Sequence, residues 1–102
     1  MTKTIMLACA GGMSTSLLVT KMREAAKKRE IDVNIFATAS ASIPEEVEKN
    51  NPAVILLGPQ IKFQLHKVEN EVEVPVDVID MKDYGMMNGA KVLASALAVL
   101  AQ

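Results

Sequence analysis

Short apolar runs alternate with helical periods along this chain, and that alternation constrains its fold more than any other feature. Residues 5–8 and 53–57 are continuous apolar runs that end at turn signals, which predicts strands buried on both faces. Residues 31–36 alternate apolar with polar side chains, as a half-exposed strand does, and residues 74–79 predict a fourth strand despite Pro75. Because strands that alternate with helices form parallel sheets, we expect a four-stranded parallel sheet.

Four helical patterns accompany these strands. Amphipathic spacing predicts a helix over residues 14–29, and Ser42, with Pro44 in the following turn, predicts the start of a second. Residues 61–68 indicate a third helix, and a final helix follows Asn88-Gly89. The predicted fold is an α/β three-layer sandwich of flavodoxin-like type with strand order 2-1-3-4, because this order centres the two most apolar strands. We expect one domain over residues 1–102.

Composition and charge exclude several classes of protein. A net charge of −1 and 3% aromatic residues disfavour nucleic-acid binding, which normally uses a basic patch or stacking rings. The single cysteine cannot form an internal disulfide or build a zinc site by itself. The most apolar segment, residues 92–100, is far shorter than the about 20 residues of a membrane span, and the N-terminal apolar run is too short for a signal peptide. We therefore expect a soluble, cytoplasmic protein without a metal or cofactor.

The segment after the first predicted strand is the strongest candidate for a functional site. Cys9 lies at the carboxyl end of that strand, where sheets of this kind bind ligands. Gly11 and Gly12 suit a sharp turn whose N–H groups face an anion, and the hydroxyl residues that follow suit a helix N-terminus. Such surroundings lower the pKa of a thiol, which predicts a nucleophilic Cys9. The predicted phosphate-binding loop consists of Ala10, Gly11, Gly12, Met13, Ser14, Thr15 and Ser16.

A lone cysteine after a buried strand is more often a small packing residue, and other functions use similar loops. The spacing resembles the phosphate loop of low-molecular-weight tyrosine phosphatases, in which an arginine stands six residues after the cysteine and grips the phosphoryl group. Thr15 occupies that position here, so a phosphocysteine would be held by backbone donors and poorly hydrolysed. This favours a phosphoryl relay over a phosphatase. The third alternative is a module that binds phosphate or a flavin nucleotide through the same loop. The scarcity of aromatic residues disfavours it, because few side chains could stack on the flavin ring.

Several segments together resemble a known family. Residues 7–18, residues 56–61, residues 78–80 and the Tyr84-Gly85 pair resemble the IIB component of the bacterial phosphotransferase system, of the lactose/cellobiose/chitobiose class. The resemblance implies a transferase in which Cys9 accepts phosphate from a phosphohistidine of the EIIA component. It also implies transfer to a disaccharide of the cellobiose, chitobiose or lactose type in the EIIC membrane permease, with which the protein would associate peripherally.

Other residues carry weaker signals. Four residues follow the third and fourth predicted strands and could border the same pocket, although each has a structural alternative as a cap, a helix start or a packing residue. His66, the only histidine, is expected on the surface, and Asp83 is expected to be structural. Met13 is a candidate docking contact for the EIIA and EIIC partners. The four possible rim residues are Pro59, Gln60, Asp80 and Tyr84.

Overall fold

The computed structural model describes residues 2–11 and 15–101. Gly12, Met13 and Ser14 of the predicted phosphate loop therefore lie outside the described residues. Four strands form one sheet in the order β2-β1-β3-β4, and every neighbouring pair is parallel, as predicted. They are β1 (Lys3–Cys9), β2 (Val33–Ala39), β3 (Val54–Leu57) and β4 (Val76–Val78).

Helices connect the strands and cover both faces of the sheet. Two of them are preceded by 3₁₀ segments, Ser40–Ser42 and Pro59–Gln64. A short helix between the fourth strand and the final helix was not among the four predicted. The α-helices are α1 (Ser16–Lys28), α2 (Ile43–Asn50), α3 (Leu65–Glu71), α4 (Met81–Gly85) and α5 (Gly89–Leu100).

The second strand begins at Val33 rather than at residue 31, because the preceding residues complete the end of α1. Glu30 adopts a left-handed conformation with φ 57°, and the Ile31 N–H donates to the Ala26 carbonyl at 2.8 Å. This is the hydrogen-bond pattern that closes many helices, and it removes Ile31 from the strand.

Three other predicted bounds and one predicted cap also differ from the structure. Helix α1 begins at Ser16 rather than at residue 14, and Ser42 precedes α2 without a side-chain capping bond. The region after β3 starts as a 3₁₀ helix, which is kinked at Ile61, where the torsions φ −117° and ψ 24° are non-helical. Strand β4 is shorter than predicted, since Pro75 has no N–H to donate to the sheet.

The core consists of two apolar layers, one on each face of the sheet. Ile5 and Leu7 of β1 pack in the layer with α1 and α5, whereas Met6 and Ala8 pack in the layer with α2 and the segment after β3. This confirms the predicted three-layer arrangement. Because side chains alternate along a strand, Cys9 continues the face of Ile5 and Leu7 and points toward the α1 layer.

Candidate active site

Cys9 is the last residue of β1, a central strand of the sheet. It pairs with Ala39 of β2, and on the other side the Gly58 N–H donates to the Ala8 carbonyl at 2.8 Å. The Cys9 residue is only 2% exposed. This places the thiol at the carboxyl edge of the sheet, between the ends of two neighbouring strands, where the strand order reverses.

Thr15 is fully buried, and its hydroxyl donates a hydrogen bond to the Cys9 sulfur at 3.7 Å. Thr15 occupies the N-cap position of α1, as its residue type predicts, but its side chain does not cap the helix. The hydroxyl interacts with the sulfur instead. A hydroxyl donor in this position stabilises negative charge on the sulfur, which acts against the desolvation of the buried thiol.

The N-terminus of α1 adds a second favourable electrostatic contribution. Ser16 is its first residue, the first turn carries no acidic side chain, and Lys27 and Lys28 lie in the last turn. The partial positive charge of the helix N-terminus is therefore not offset by nearby carboxylates of the same turn. By contrast, α2 carries two glutamates in its first turn. The end of α1 that follows the Cys9 loop suits an anion such as a phosphoryl group.

Gly11 has open space beside its Cα among the residues that the structure describes. A Cβ atom added there would meet none of their atoms within 4 Å, and the φ of Gly11 lies outside the left-handed region. Ala10 and Gly11 are both exposed, so their backbone groups are accessible to a ligand at the loop. Among the described glycines, Gly58 lies close to the cysteine, although its sequence position had not marked it as a site residue.

Gly58 leaves room beside the thiol for the side chain of Gln60. A Cβ atom at Gly58 would lie 3.6 Å from the Cys9 Cβ and 3.0 Å from the Gln60 Oε1 atom. The side chains of Cys9 and Gln60 therefore both lie next to the Gly58 Cα. Gln60 is exposed, whereas Pro59 is buried and occupies the first turn of the 3₁₀ helix. The sequence contains one indication of this position. Gly58 directly follows a buried apolar run, as Cys9 does, so both residues are expected at the same edge of the sheet.

Asp80 and Tyr84 take structural positions after β4. The Asp80 carboxylate accepts hydrogen bonds from the Lys82 and Asp83 backbone N–H groups, at 2.9 and 3.1 Å, and so caps α4. Tyr84 is buried in the α1 layer, and its hydroxyl has no hydrogen-bond partner among the residues that the structure describes. The Asp80 position matches the capping alternative, and Tyr84 packs in the core layer that contains α1 and α5.

Two other predicted residues are also placed by the structure. His66 is 92% exposed and lies 3.3 Å from the Glu69 carboxylate, as expected of a surface histidine. Arg23 of α1 is exposed, and it donates through Nε and Nη2 to the Ile35 carbonyl of the edge strand β2, at 3.0 and 2.5 Å. Residues 2–11 and 15–101 contain no cluster of acidic, histidine or cysteine side chains arranged to hold a metal ion.

Comparison with known proteins relates the whole arrangement to one family. The family profile described as the PTS system, lactose/cellobiose specific IIB subunit, matches residues 4–95. Two curated proteins, the galactose-specific EIIB component of Lactococcus lactis subsp. cremoris and the cellobiose-specific EIIB component of Lactococcus lactis subsp. lactis, are each 51% identical over 100 residues. Those alignments cover 92% of this chain and 93% of each relative.

A solved structure agrees with the sequence comparison. The solution structure of the cellobiose-specific IIB component from Borrelia burgdorferi matches with a TM-score of 0.81 and 36% identity, over 99% of this chain and 94% of that one. Within the described part of the chain, none of the helices is both long and apolar enough to span a membrane. The chain belongs to the lactose/cellobiose-specific IIB family of the phosphotransferase system.

Proposed function

We propose that Cys9 carries a phosphoryl group from the phosphohistidine of an EIIA protein to a disaccharide bound in an EIIC permease. In the first step, the Cys9 thiolate attacks phosphorus and the nitrogen–phosphorus bond breaks; the histidine nitrogen keeps the electron pair and takes up a proton. In the second step, a sugar hydroxyl attacks phosphorus, the sulfur–phosphorus bond breaks, and the hydroxyl proton leaves to solvent. The thiolate is regenerated and no cofactor is consumed.

The hydrogen bond from Thr15 to the Cys9 sulfur is the observation that carries this proposal. A buried hydroxyl that points at sulfur stabilises negative charge there, both on the attacking thiolate and on the thiolate that leaves in the second step. The side chain at position 15 is fully buried and uncharged, so it does not supply the cation that a phosphatase would use at this position to stabilise a hydrolytic transition state. A phosphocysteine in this loop would therefore persist until an acceptor arrives.

The remaining loop residues would hold the phosphoryl oxygens. We assign this role to the backbone N–H groups of residues 10–16 and to the Ser14 and Ser16 hydroxyls, assisted by the positive end of α1. Gln60 lies close enough to the thiol to border the pocket. The relatives are named for galactose and cellobiose, which supports a sugar of the lactose or cellobiose class as acceptor. The acceptor step would take place at the cytoplasmic side of the permease.

Mass spectrometry tests the proposal directly. The protein is incubated with a phosphorylated EIIA protein of the cellobiose class, and we expect a mass increase of one phosphoryl group that maps to the peptide containing Cys9. Cys9→Ser should abolish the increase, whereas Lys28→Ser, at the opposite end of α1, should retain it. A phosphoryl group that remains on the Cys9→Ser protein would refute the assignment.

A further inference from the structure

Strand β2 is the longer of the two edge strands of the sheet. It runs over seven residues, Val33–Ala39, and within residues 2–11 and 15–101 it pairs only with β1. The strand at the opposite edge, β4, has three residues. An unpaired edge presents a row of backbone N–H and C=O groups, to which a strand of another molecule can hydrogen-bond.

The short edge strand β4 is protected by its own sequence. Pro75 directly precedes it and has no N–H to donate, and the Asp77 carboxylate accepts a hydrogen bond from the Val78 N–H at 2.8 Å. A short strand, a proline and a charged side chain all discourage pairing at an edge. Strand β2 contains neither a proline nor a charged residue, so its protection has to come from another segment.

Arg23 of α1 covers the outer side of β2 near the middle of the strand. Its Nε and Nη2 groups donate to the Ile35 carbonyl, at 3.0 and 2.5 Å. Two donors on one acceptor hold the planar guanidinium against the strand. Because Arg23 is exposed, a strand that approached β2 would have to displace this group and remove its charge from water.

The backbone groups of Ile35 belong to the outer edge of β2. Successive residues of a strand direct their backbone groups to opposite neighbours, and on β1 the Ala8 carbonyl accepts from the Gly58 N–H on the β3 side. Ile5, three residues earlier, therefore faces β2, where Ile35 is its partner in the register. In a parallel pair a residue bonds to both neighbours of its partner, so Ile5 bonds to the neighbours of Ile35, and Ile35 itself faces outward.

The edge beside Arg23 is open. A groove of about 360 Å³ lies between α1 and β2, and Ser16, Arg23 and Ala37 are among the residues that line it. Ala37 is two residues after Ile35, so its N–H and C=O groups also face outward. Arg23 is the only charged residue among the described residues of this lining. The groove therefore gives a further strand access to the edge, and Arg23 is the charged group in its way.

We propose that Arg23 keeps the protein monomeric by blocking the outer edge of β2, and that without Arg23 this edge pairs with the same edge of a second copy. Two identical edges can pair in antiparallel fashion about a twofold axis. In the wild-type protein such an axis near Ile35 would bring two Arg23 guanidinium groups together, which is unfavourable for like charges. Once Arg23 is removed, no charged side chain of β2 itself opposes the pairing.

Sedimentation velocity at increasing protein concentration, with a reducing agent to prevent a Cys9 disulfide between copies, tests the proposal. We expect wild type to remain a monomer. The association constant of Arg23→Ala should exceed that of wild type roughly tenfold or more, because a neighbouring strand no longer displaces charged hydrogen bonds. Arg29→Ala is the matched control and should remain monomeric, since Arg29 is an exposed arginine at the end of the same helix and carries the same charge.

Amide hydrogen exchange locates the interface. As the Arg23→Ala dimer forms, the Ile35 and Ala37 N–H groups should become protected, because both face the edge that pairs. Arg23→Met retains most of the arginine stem and its helix propensity without charge or donors, and should associate as Arg23→Ala does. Urea unfolding of each variant identifies any association that arises from loss of the folded state.

Four outcomes would overturn the proposal. If Arg23→Ala or Arg23→Met folds and remains monomeric, Arg23 is not what prevents pairing. If Arg29→Ala associates equally, net charge explains the effect. Association without protection of Ile35 and Ala37 would place the interface elsewhere, and a wild-type dimer with these two amides protected would show that Arg23 does not block the edge.

Discussion

Gly89 lies against the backbone of α1, and replacing it with alanine is expected to force α5 away from that helix. A Cβ atom at Gly89 would lie 2.4 Å from the Lys21 carbonyl carbon and 2.6 Å from the Met22 nitrogen. Carbon atoms in contact normally lie about 3.5–4.0 Å apart, so the shortfall is about 1 Å. The obstructing atoms belong mainly to the backbone of a packed helix and cannot rotate away as a side chain would.

The cost follows from this overlap. Overpacking of a well-packed core typically costs about 1–3 kcal/mol. Alanine is favoured over glycine inside a helix by up to about 1 kcal/mol, but Gly89 is the first residue of α5, where this gain is smaller. We therefore expect Gly89→Ala to lower the free energy of unfolding by about 1–3 kcal/mol. For a domain of this size, each 1 kcal/mol corresponds to about 4–8 °C in Tm.

Urea denaturation followed by far-UV circular dichroism measures this change, and Gly85→Ala provides the matched control. A Cβ atom at Gly85 would meet no atom of residues 2–11 or 15–101 within 4 Å, so that variant should stay within about 0.5 kcal/mol of wild type. Equal stabilities of the Gly89→Ala and Gly85→Ala proteins would contradict the reasoning, because the two substitutions differ mainly in the neighbouring backbone.

Three further predictions concern the site and its surroundings. Thr15→Val should slow phosphorylation of Cys9 by about tenfold, the worth of one hydrogen bond to a charged group, while Thr15→Ser should retain most of the rate. Tyr84→Phe should leave the free energy of unfolding unchanged or raise it by up to about 1 kcal/mol, because the buried hydroxyl has no partner among the described residues; a clear loss in urea denaturation would reveal a bond that these residues do not provide. Asp80→Ala should destabilise the protein by about 1 kcal/mol through loss of the α4 cap, whereas Asp80→Asn should preserve it. If phosphorylation fell sharply in Asp80→Asn, the carboxyl group would have a chemical role beyond capping.

The fold was predictable because most of its strands and helices have a recognisable local sequence pattern, either an apolar run or amphipathic spacing. The apolar run at residues 53–57 has no polar face, so it had to become a central strand, and the structure places β3 there. The bounds were less predictable because they depend on backbone conformation. Ile31 has a strand-like pattern, yet its N–H closes α1, and nothing in its residue type specifies the left-handed turn at Glu30.

The sequence by itself determined the position of the candidate site. Cys9 follows a buried strand and precedes an amphipathic helix, and in a parallel sheet with right-handed connections that order leaves few places for it other than the ligand-binding edge. The family resemblance of residues 7–18 is likewise a property of the sequence, and the comparisons confirmed it.

Only the tertiary structure decided what surrounds the thiol. Thr15 reads as a helix cap in the sequence, but the folded chain turns its hydroxyl to the Cys9 sulfur. Gly58 and Gln60 lie about fifty residues away along the chain and reach Cys9 only because β1 and β3 are paired. Residue type and spacing specify local conformation, whereas contacts between distant segments depend on strand register and packing, which a single sequence records only indirectly.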